Sequence, residues 1–162
     1  MYGLQGMNSL DPGVGDILIP LAMKIEESNY SLSPQNLGSA LYGLKTMSSS
    51  DPDVPEVLIA LAKKIAECSQ SFRTIHVSNS VYGLQGMNSS DAGMKEILTA
   101  LAQKISTCNE DISAQTVGNA LYGVQGLRMC DPGVWETMEP LKRKIMASKV
   151  DLDSQVVMCR FC

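Results

Sequence analysis

The sequence has few aromatic residues, a single histidine and no long apolar run. Phe, Trp and Tyr together make up 5% of its 162 residues. No apolar stretch reaches the roughly 18 residues that a membrane-spanning helix needs, so we expect none. The N-terminus has no basic stretch leading into an apolar segment, so we expect no signal peptide. With one histidine and no P-loop, Rossmann-type glycine motif or H-E-x-x-H motif, the sequence does not indicate a known catalytic site.

The composition is that of a folded, mildly acidic chain. Apolar residues account for 44% of the sequence, charged residues for 19%, and the formal net charge is −4. These values argue against intrinsic disorder, and the length allows one domain with a real core. The acidity argues against a protein that coats nucleic acids generically, although a local basic stripe is compatible with it.

The chain consists of four copies of one 40-residue unit, without insertions. The units cover residues 1–40, 41–80, 81–120 and 121–160. A Tyr-Gly pair opens the pattern in each unit, with the tyrosines at Tyr2, Tyr42, Tyr82 and Tyr122. A fixed period of this size is the signature of a stacked repeat array. We therefore predict a single α-helical repeat array over residues 1–162.

Each unit contains two predicted helices, which we name A and B. Helix A follows a capping serine such as Ser33, and helix B begins at an acidic cap such as Asp51, followed by Pro52. The apolar periodicity places helices A at about 34–47, 74–87 and 114–127, and helices B at about 12–27, 52–67, 92–107 and 132–147. Short links make neighbouring helices antiparallel. The predicted fold class is all-α, an α-solenoid of four helical hairpins.

The two ends of the array lack the polar capping units that an isolated solenoid usually carries. One explanation is that the chain is a fragment of a longer array. The other is end-to-end self-association, which would cover the exposed faces. The sequence leaves both open.

A glycine follows each repeat tyrosine inside predicted helix A, at Gly3, Gly43, Gly83 and Gly123. Glycine within a helix costs about 1 kcal/mol relative to alanine, so its recurrence needs a reason. We expect a neighbouring helix or tyrosine ring to approach closely there; an open groove floor is the alternative. The tyrosines themselves are expected to be core residues with hydrogen-bonded hydroxyls.

Several polar positions of helix A vary between copies while the scaffold positions repeat. We predict that they contact bases or a partner: Asn36, His76, Asn79, Gln85, Thr116, Asn119 and Gln125. Helical-hairpin solenoids bind extended partners along one surface, and RNA readers with one base per repeat use two or three variable side chains per unit. Free drift of surface residues is the alternative explanation.

One lysine recurs at the same position of helix B in every unit. These residues are Lys24, Lys64, Lys104 and Lys144. Because stacked helices lie about 8–10 Å apart, a row of such ammonium groups would suit the phosphates of a nucleic acid. A solvated face, with each lysine paired to a nearby acid, is the alternative.

The five cysteines give no metal or redox motif of sufficient strength. Their odd number and the expected absence of a signal peptide favour reduced thiols inside a cell. Cys159 and Cys162 form one C-x-x-C pair, whereas a structural zinc site needs four ligands. We therefore predict no metal, no cofactor and no enzymatic activity.

The helix-A segments LGSALYGLKTM, VSNSVYGLQGM and VGNALYGVQGL resemble octotricopeptide and RAP-associated helical repeats, and are similar to the 40-residue ALYGLQGM repeats of algal proteins. The resemblance implies sequence-guided binding of single-stranded RNA, one nucleotide per unit, in a chloroplast or mitochondrion. The leading prediction is therefore a single-stranded RNA-binding module, with the lysines on phosphates and the variable positions on bases. The alternatives are a scaffold that holds an extended peptide or protein on the same surface, and a self-associating repeat assembly.

Overall fold

The computed structural model describes residues 2–149, and within them the chain forms seven α-helices and no β-strand. The helices are α1 (Gly15–Glu27), α2 (Pro34–Tyr42), α3 (Val54–Glu67), α4 (Thr74–Tyr82), α5 (Met94–Thr107), α6 (Ala114–Gly123) and α7 (Val134–Ala147). A 3₁₀ turn at Tyr2–Leu4 precedes them. The all-α fold class is confirmed. The predicted C-x-x-C pair of Cys159 and Cys162 lies outside the described residues.

Helices of the same type pack on one another. Helix α1 packs on α3, α3 on α5 and α5 on α7, which are the predicted helices B. Helix α2 packs on α4 and α4 on α6, which are the predicted helices A, while α2 also contacts α3 and α4 contacts α5. Leucines such as Leu37 and Leu41 on α2 and Leu58 and Leu61 on α3 are fully buried. The core therefore runs along the stack, and the inner helices α3 and α5 each pack between two other helices B.

The helices B end where the periodicity predicts, but they begin two to three residues later. Asp51 does not cap α3, because its carboxylate accepts a hydrogen bond from the Ser48 N–H at 3.4 Å and another from the Ser9 hydroxyl. The helix starts at Val54, after Asp53, whose side chain makes no capping hydrogen bond. The prediction that Asp51 caps the helix is wrong, since this carboxylate holds the preceding turn and a neighbouring unit instead.

The helices A are about one turn shorter than predicted. Helix α2 ends at Tyr42, and the chain continues in tight turns in which the Leu44 N–H donates to the Leu41 carbonyl and the Met47 N–H to the Leu44 carbonyl. The predicted start is confirmed, because the Ser33 hydroxyl accepts from the Asn36 N–H at 3.2 Å.

The recurring glycine marks the closest approach between neighbouring helices A. A Cβ atom at Gly83 would overlap the carbonyl oxygen of Leu41, and one at Gly123 would overlap the carbonyl oxygen of Val81. Both obstacles are backbone atoms, which cannot rotate away. The expectation of close approach is therefore confirmed at Gly83 and Gly123 and is wrong at Gly3, where a Cβ would meet no atom within 4 Å. Gly43 and Gly83 occupy the residue after the helix rather than its middle.

Candidate binding surfaces

The lysine row connects successive units. The side chain of Lys64 is only 7% exposed, and its Nζ donates to the Ser28 carbonyl oxygen at 2.7 Å and to the Glu67 carboxylate at 3.2 Å. The Nζ of Lys104 donates to the Cys68 carbonyl oxygen at 2.7 Å. The carbonyl acceptors, those of Ser28 and Cys68, lie just after the preceding helix B. The two ammonium groups therefore make contacts between successive units.

Lys144 repeats the contact of the two middle lysines, whereas Lys24 does not. Lys144 donates to the carbonyl oxygen of Cys108 and lies 3.4 Å from that of Glu110. The side chain of Lys24 is 80% exposed and pairs with Glu27 at 2.9 Å. The hydrogen bond from Lys24 to Glu27 raises the pKa of Lys24 above its ordinary value. Of the four lysines, Lys24 alone presents a largely exposed side chain.

The positions predicted to contact bases or a partner lie on α2, α4 and α6, with the two glutamines in the turns just beyond α4 and α6. Asn36 and Gln125 are exposed, and Thr116 is buried. The remaining predicted residues, His76, Asn79, Gln85 and Asn119, are half-buried. We call the surface formed by these helices the helix-A face: Asn36, Ser39, Tyr42, His76, Asn79, Tyr82, Asn119 and Tyr122.

The amide side chains of Asn79 and Asn119 make no hydrogen bond within residues 2–149. Other predicted residues are already engaged: the Thr116 hydroxyl shares a hydrogen bond of 2.8 Å with the Ser113 hydroxyl. The Nε2 of Gln85 donates to the Lys45 carbonyl oxygen at 2.8 Å, while its buried Oε1 has no partner in the described part of the chain. The two asparagines therefore offer a donor and an acceptor each to a ligand.

Three repeat tyrosines form a stack along the helix-A face. The ring centroids of Tyr42 and Tyr82 are 5.4 Å apart, as are those of Tyr82 and Tyr122, and the rings are inclined by 18° and 20°. The Nζ of Lys45 lies 4.5 Å from the Tyr42 centroid. The rings are partly exposed, so the expectation that these three tyrosines lie in the core is wrong. The expected hydrogen bond to the hydroxyl is present at Tyr42, which accepts from the Lys45 Nζ at 3.2 Å. Their exact recurrence with a following glycine was the sequence signal for a stack.

The helices A carry no Asp, Glu, Lys or Arg, and the only titratable group besides the tyrosines is the imidazole of His76. Its Nδ1 accepts a hydrogen bond from the Arg73 N–H at 3.1 Å, which requires the neutral ring with the proton on Nε2. Burial and the neighbouring Arg73 charge lower the pKa of His76 below its ordinary value. Near pH 7 the helices α2, α4 and α6 therefore carry no charged side chain, and the ammonium of Lys45 lies beside them, against the ring of Tyr42.

A charged cluster lies at the start of α4, beside this face. The Glu110 carboxylate accepts from the Arg73 Nε at 2.7 Å and from the Thr74 N–H at 3.0 Å. The hydrogen bond from Arg73, followed by that from the Thr74 backbone, lowers the pKa of Glu110. This carboxylate joins the link after α5 to the first turn of α4.

Serine and aspartate pairs join successive units, and the sequence analysis missed them. Ser49 donates to the Asp91 carboxylate at 2.8 Å, and Ser89 donates to the Asp131 carboxylate at 2.6 Å. The Ser89 hydroxyl also accepts from the Arg128 N–H at 2.8 Å. Serine and aspartate each recur in successive units, but the paired residues are 42 residues apart and belong to different units. The pairing is therefore not evident from one unit alone.

A separate groove of about 450 Å³ lies between α3 and α5, lined by Ile59, Ala62, Ala66 and Gln103 among others. No predicted site residue lines it. Over residues 2–149 no group of three or more His, Cys, Asp or Glu side chains is placed to hold a metal ion. In the same part of the chain no helix has the length and apolar character needed to cross a bilayer.

No protein-family model, no curated protein and no solved structure matches this chain.

Proposed function

We propose that this chain is a non-enzymatic binding module, an α-solenoid of four 40-residue hairpins that holds an extended polypeptide on its helix-A face. The packing of each helix on the next helix of its own type supports the solenoid arrangement. Repeat arrays of this kind present extended surfaces that suit extended partners. RNA binding is the competing function, and a binding experiment with peptide and RNA at two salt concentrations distinguishes the two.

The observation that carries the proposal is the absence of charged side chains from α2, α4 and α6. Binding to a nucleic acid depends on cations that neutralise phosphates. The three helices A have no Lys or Arg, and the ammonium groups of Lys64 and Lys104 are directed to carbonyl oxygens within the stack. Neutral hydrogen-bonding groups instead match the backbone of a polypeptide, which carries one donor and one acceptor per residue.

The tyrosine stack also favours a polypeptide over a nucleic acid as the ligand. Proteins that bind single strands provide free aromatic faces on which bases stack. In this chain Tyr82 has a neighbouring ring on both sides, and Tyr42 has Tyr82 on one side and the Lys45 ammonium over its ring. These ring faces are occupied, so bases have no room to insert between them. The partly exposed rings add apolar surface to the helix-A face, which suits contact with a polypeptide.

Asn79 and Asn119 supply the specific contacts in this proposal. They occupy equivalent positions in successive units, and each offers an N–H donor and a carbonyl acceptor to a peptide group. Because neither amide has a partner within residues 2–149, no internal hydrogen bond must break before binding. Asn79 also lies one turn before Tyr82 on α4, so the polar and aromatic contacts would fall on the same side of that helix.

The test begins with selection of binders from a displayed library of random peptides against the wild-type chain. A selected peptide is labelled, and its affinity is measured by fluorescence anisotropy at about 50 and about 200 mM salt, alongside a random single-stranded RNA pool. We expect peptide binding with little salt dependence. The double variant Asn79→Ala/Asn119→Ala should weaken it about tenfold or more, since a hydrogen bond contributes about 0.5–1.5 kcal/mol.

The matched control is Gln103→Ala, which removes an exposed amide from α5. It should leave peptide affinity unchanged. A loss of affinity with Gln103→Ala would instead place the peptide in the groove between α3 and α5. Strongly salt-dependent RNA binding, with no selectable peptide, would favour the RNA-binding function and contradict the proposal.

A further inference from the structure

One cation lies beside the helix-A face, in the turn that follows α2. The Nζ of Lys45 is 4.5 Å from the centroid of the Tyr42 ring, and it donates to the Tyr42 hydroxyl oxygen at 3.2 Å. The Lys45 side chain is half-buried. Because this side chain turns back toward α2, its ammonium group lies against one of the three stacked rings.

The ammonium of Lys45 pairs with no carboxylate in the described part of the chain. Helices α2 and α4 contain no Asp or Glu, and the Asp51 carboxylate in the same link accepts from the Ser9 hydroxyl instead. A lysine ammonium has three N–H donors, and the Tyr42 hydroxyl takes one of them. A half-buried charge without a partner of opposite sign is costly, and a cation–π contact offsets only part of that cost. Lys45 can therefore gain from binding an anion.

The other three units have glutamine at the position of Lys45, namely Gln5, Gln85 and Gln125. Gln85 uses its side chain to connect two units, since its Nε2 donates to the Lys45 carbonyl oxygen at 2.8 Å. The Lys45 ammonium, by contrast, bonds within residues 2–149 only to Tyr42 of its own unit. The repeat scaffold thus accepts a neutral side chain at this position, and the lysine gives the α2 end of the helix-A face a charge that the other units lack.

Arg73 also lies near this face, at the start of α4, but it already has an anion. Its Nε donates to the Glu110 carboxylate at 2.7 Å, and the Thr74 N–H donates to the same carboxylate at 3.0 Å. An acidic ligand would have to compete with Glu110 for Arg73. At Lys45 it would meet no competing carboxylate of the described residues, so charge complementarity favours Lys45 as the site of an acidic contact.

We infer that the polypeptide on the helix-A face carries an Asp or Glu side chain that pairs with Lys45. The inference deepens the proposed function and rests on it. Asn79 lies three residues before Tyr82, which is about 4.5 Å along the helix, and Tyr82 stacks on Tyr42. A peptide backbone held by the asparagines therefore passes about one helical turn from the Lys45 ammonium.

This geometry assigns the acidic contact to a side chain of the ligand. A carboxylate at the end of the peptide would follow the line of the backbone, whereas Lys45 lies to the side of that line, beyond the tyrosine stack. The ligand then has a defined polarity. Its acidic residue faces the unit of Lys45, and the residues that contact Asn79 and Asn119 face helices without charged side chains.

The test uses the peptide of highest affinity selected from the displayed library, synthesised with an amidated C-terminus so that only its side chains carry carboxylates. We expect this peptide to contain an Asp or Glu. Replacing that acid with its amide should weaken binding to the wild type about fivefold or more, because charged hydrogen bonds are stronger than neutral ones. Lys45→Gln should weaken binding of the acidic peptide equally, and it should not change the affinity for the amide peptide.

Lys95→Gln is the matched control, because it removes an exposed ammonium from α5 with the same change in net charge. It should leave the affinities for both peptides unchanged. Lys45→Gln introduces the residue type of the other three units, so the fold should be retained, and urea unfolding verifies this. Fluorescence anisotropy at about 50 mM salt measures the affinities, since ion pairs are screened less at low ionic strength.

Three outcomes would overturn the inference and leave the proposed function standing. A selected peptide that depends on Asn79 and Asn119 but carries no acid would show that Lys45 needs no anion. An acidic peptide that binds Lys45→Gln as tightly as the wild type would place the acid elsewhere. Equal losses with Lys45→Gln and Lys95→Gln would indicate general attraction between charges. Peptide binding that ignores both asparagines would overturn the proposed function, and the inference with it.

Discussion

The ammonium group of Lys104 donates a hydrogen bond of 2.7 Å to the carbonyl oxygen of Cys68, which lies 36 residues earlier in the chain. Lys64 has the same relation to Ser28, and Lys144 to Cys108. A lysine near the end of α3, α5 and α7 thus secures the chain as it leaves the preceding helix B, whereas Lys24 of α1 pairs with Glu27. The row of lysines belongs to the interfaces between units rather than to an open basic surface.

Replacing Lys104 with methionine should destabilise the fold, because it removes a hydrogen bond from a charged donor and leaves the Cys68 carbonyl without that partner. We expect a loss of about 1.5–3 kcal/mol. Urea unfolding should show a lower midpoint with an unchanged slope. Lys24→Met makes the same chemical change where no carbonyl is bound, and its midpoint should equal that of the wild type. Equal midpoints for the two variants would contradict the assignment.

The sequence predicted the ends of the helices B but not the partners of their lysines. The helix ends follow from local information: apolar residues at helical spacing up to the recurrent Lys-Ile pair. The carbonyl acceptors depend on the path of the link after the preceding helix. That path is set by packing between units, and neither residue type nor spacing encodes it. The sequence therefore reveals the row of lysines. Their binding of phosphates stays a prediction, and the contacts of Lys64 and Lys104 with carbonyl oxygens do not support it.

Gly123→Ala should destabilise the fold because the new methyl group would overlap the Val81 carbonyl oxygen of the neighbouring helix A. We expect a cost of about 1–3 kcal/mol, as for other substitutions that overpack a tight contact. Gly3→Ala is the matched control, since it occupies the same repeat position and a Cβ there meets no atom within 4 Å. Thermal unfolding of both variants checks this, and a Gly123→Ala protein as stable as Gly3→Ala would refute the close approach.

The predicted helices A were too long because the apolar pattern continues past the residue at which each helix ends. Leu41, Leu44 and Met47 lie at helical spacing, and all three are buried, so the pattern extends to Met47. In the turns after Tyr42 these side chains are still buried, but the backbone N–H groups of Leu44 and Met47 now bond to the carbonyl oxygen three residues earlier. Apolar periodicity reports which side chains are buried, and it does not distinguish an α-helix from a succession of such turns. The sequence therefore predicted polar contact positions on helix A, which stay a prediction, and it did not predict the tyrosine stack beside them.

Ser89→Ala should cost about 1–3 kcal/mol, because its hydroxyl is buried between the Asp131 carboxylate and the Arg128 N–H. Ser90→Ala is the control, as the Ser90 hydroxyl is exposed and bonds only to Asn88 in its own turn within the described residues. Denaturant midpoints of the two variants measure the difference. If Ser90→Ala proved the more damaging, the pairing of serine and aspartate would not connect the units.

The stability of the chain should fall on mild acidification because of His76. Burial and then the Arg73 charge lower its pKa in the folded state below the ordinary value of 6.5. The stabilising contribution is therefore complete above pH 6.5 and is lost as the pH falls through 6.5 towards the folded-state pKa. Protonation of Nδ1 also removes the acceptor for the Arg73 N–H. Unfolding free energies measured between about pH 8 and pH 5 should reveal the step.

His76→Gln separates this effect from the titration of carboxylates. A glutamine at this position of a helix can accept the same backbone N–H without titrating. The variant should lose the step below pH 6.5 while retaining the decline at lower pH to which Glu110 contributes. A wild type and a His76→Gln variant with parallel pH profiles would show that His76 has no such role.

The measurement that tests the proposed function most directly is an NMR titration of the ¹⁵N-labelled chain with the selected peptide. The helix-A face is expected to respond through the side-chain amide signals of Asn79 and Asn119, with smaller changes along α2, α4 and α6. The side-chain amide signal of Gln103 should not shift. Saturating peptide that shifts Gln103 and leaves both asparagines unchanged would contradict the account, because binding would then occur away from the helix-A face.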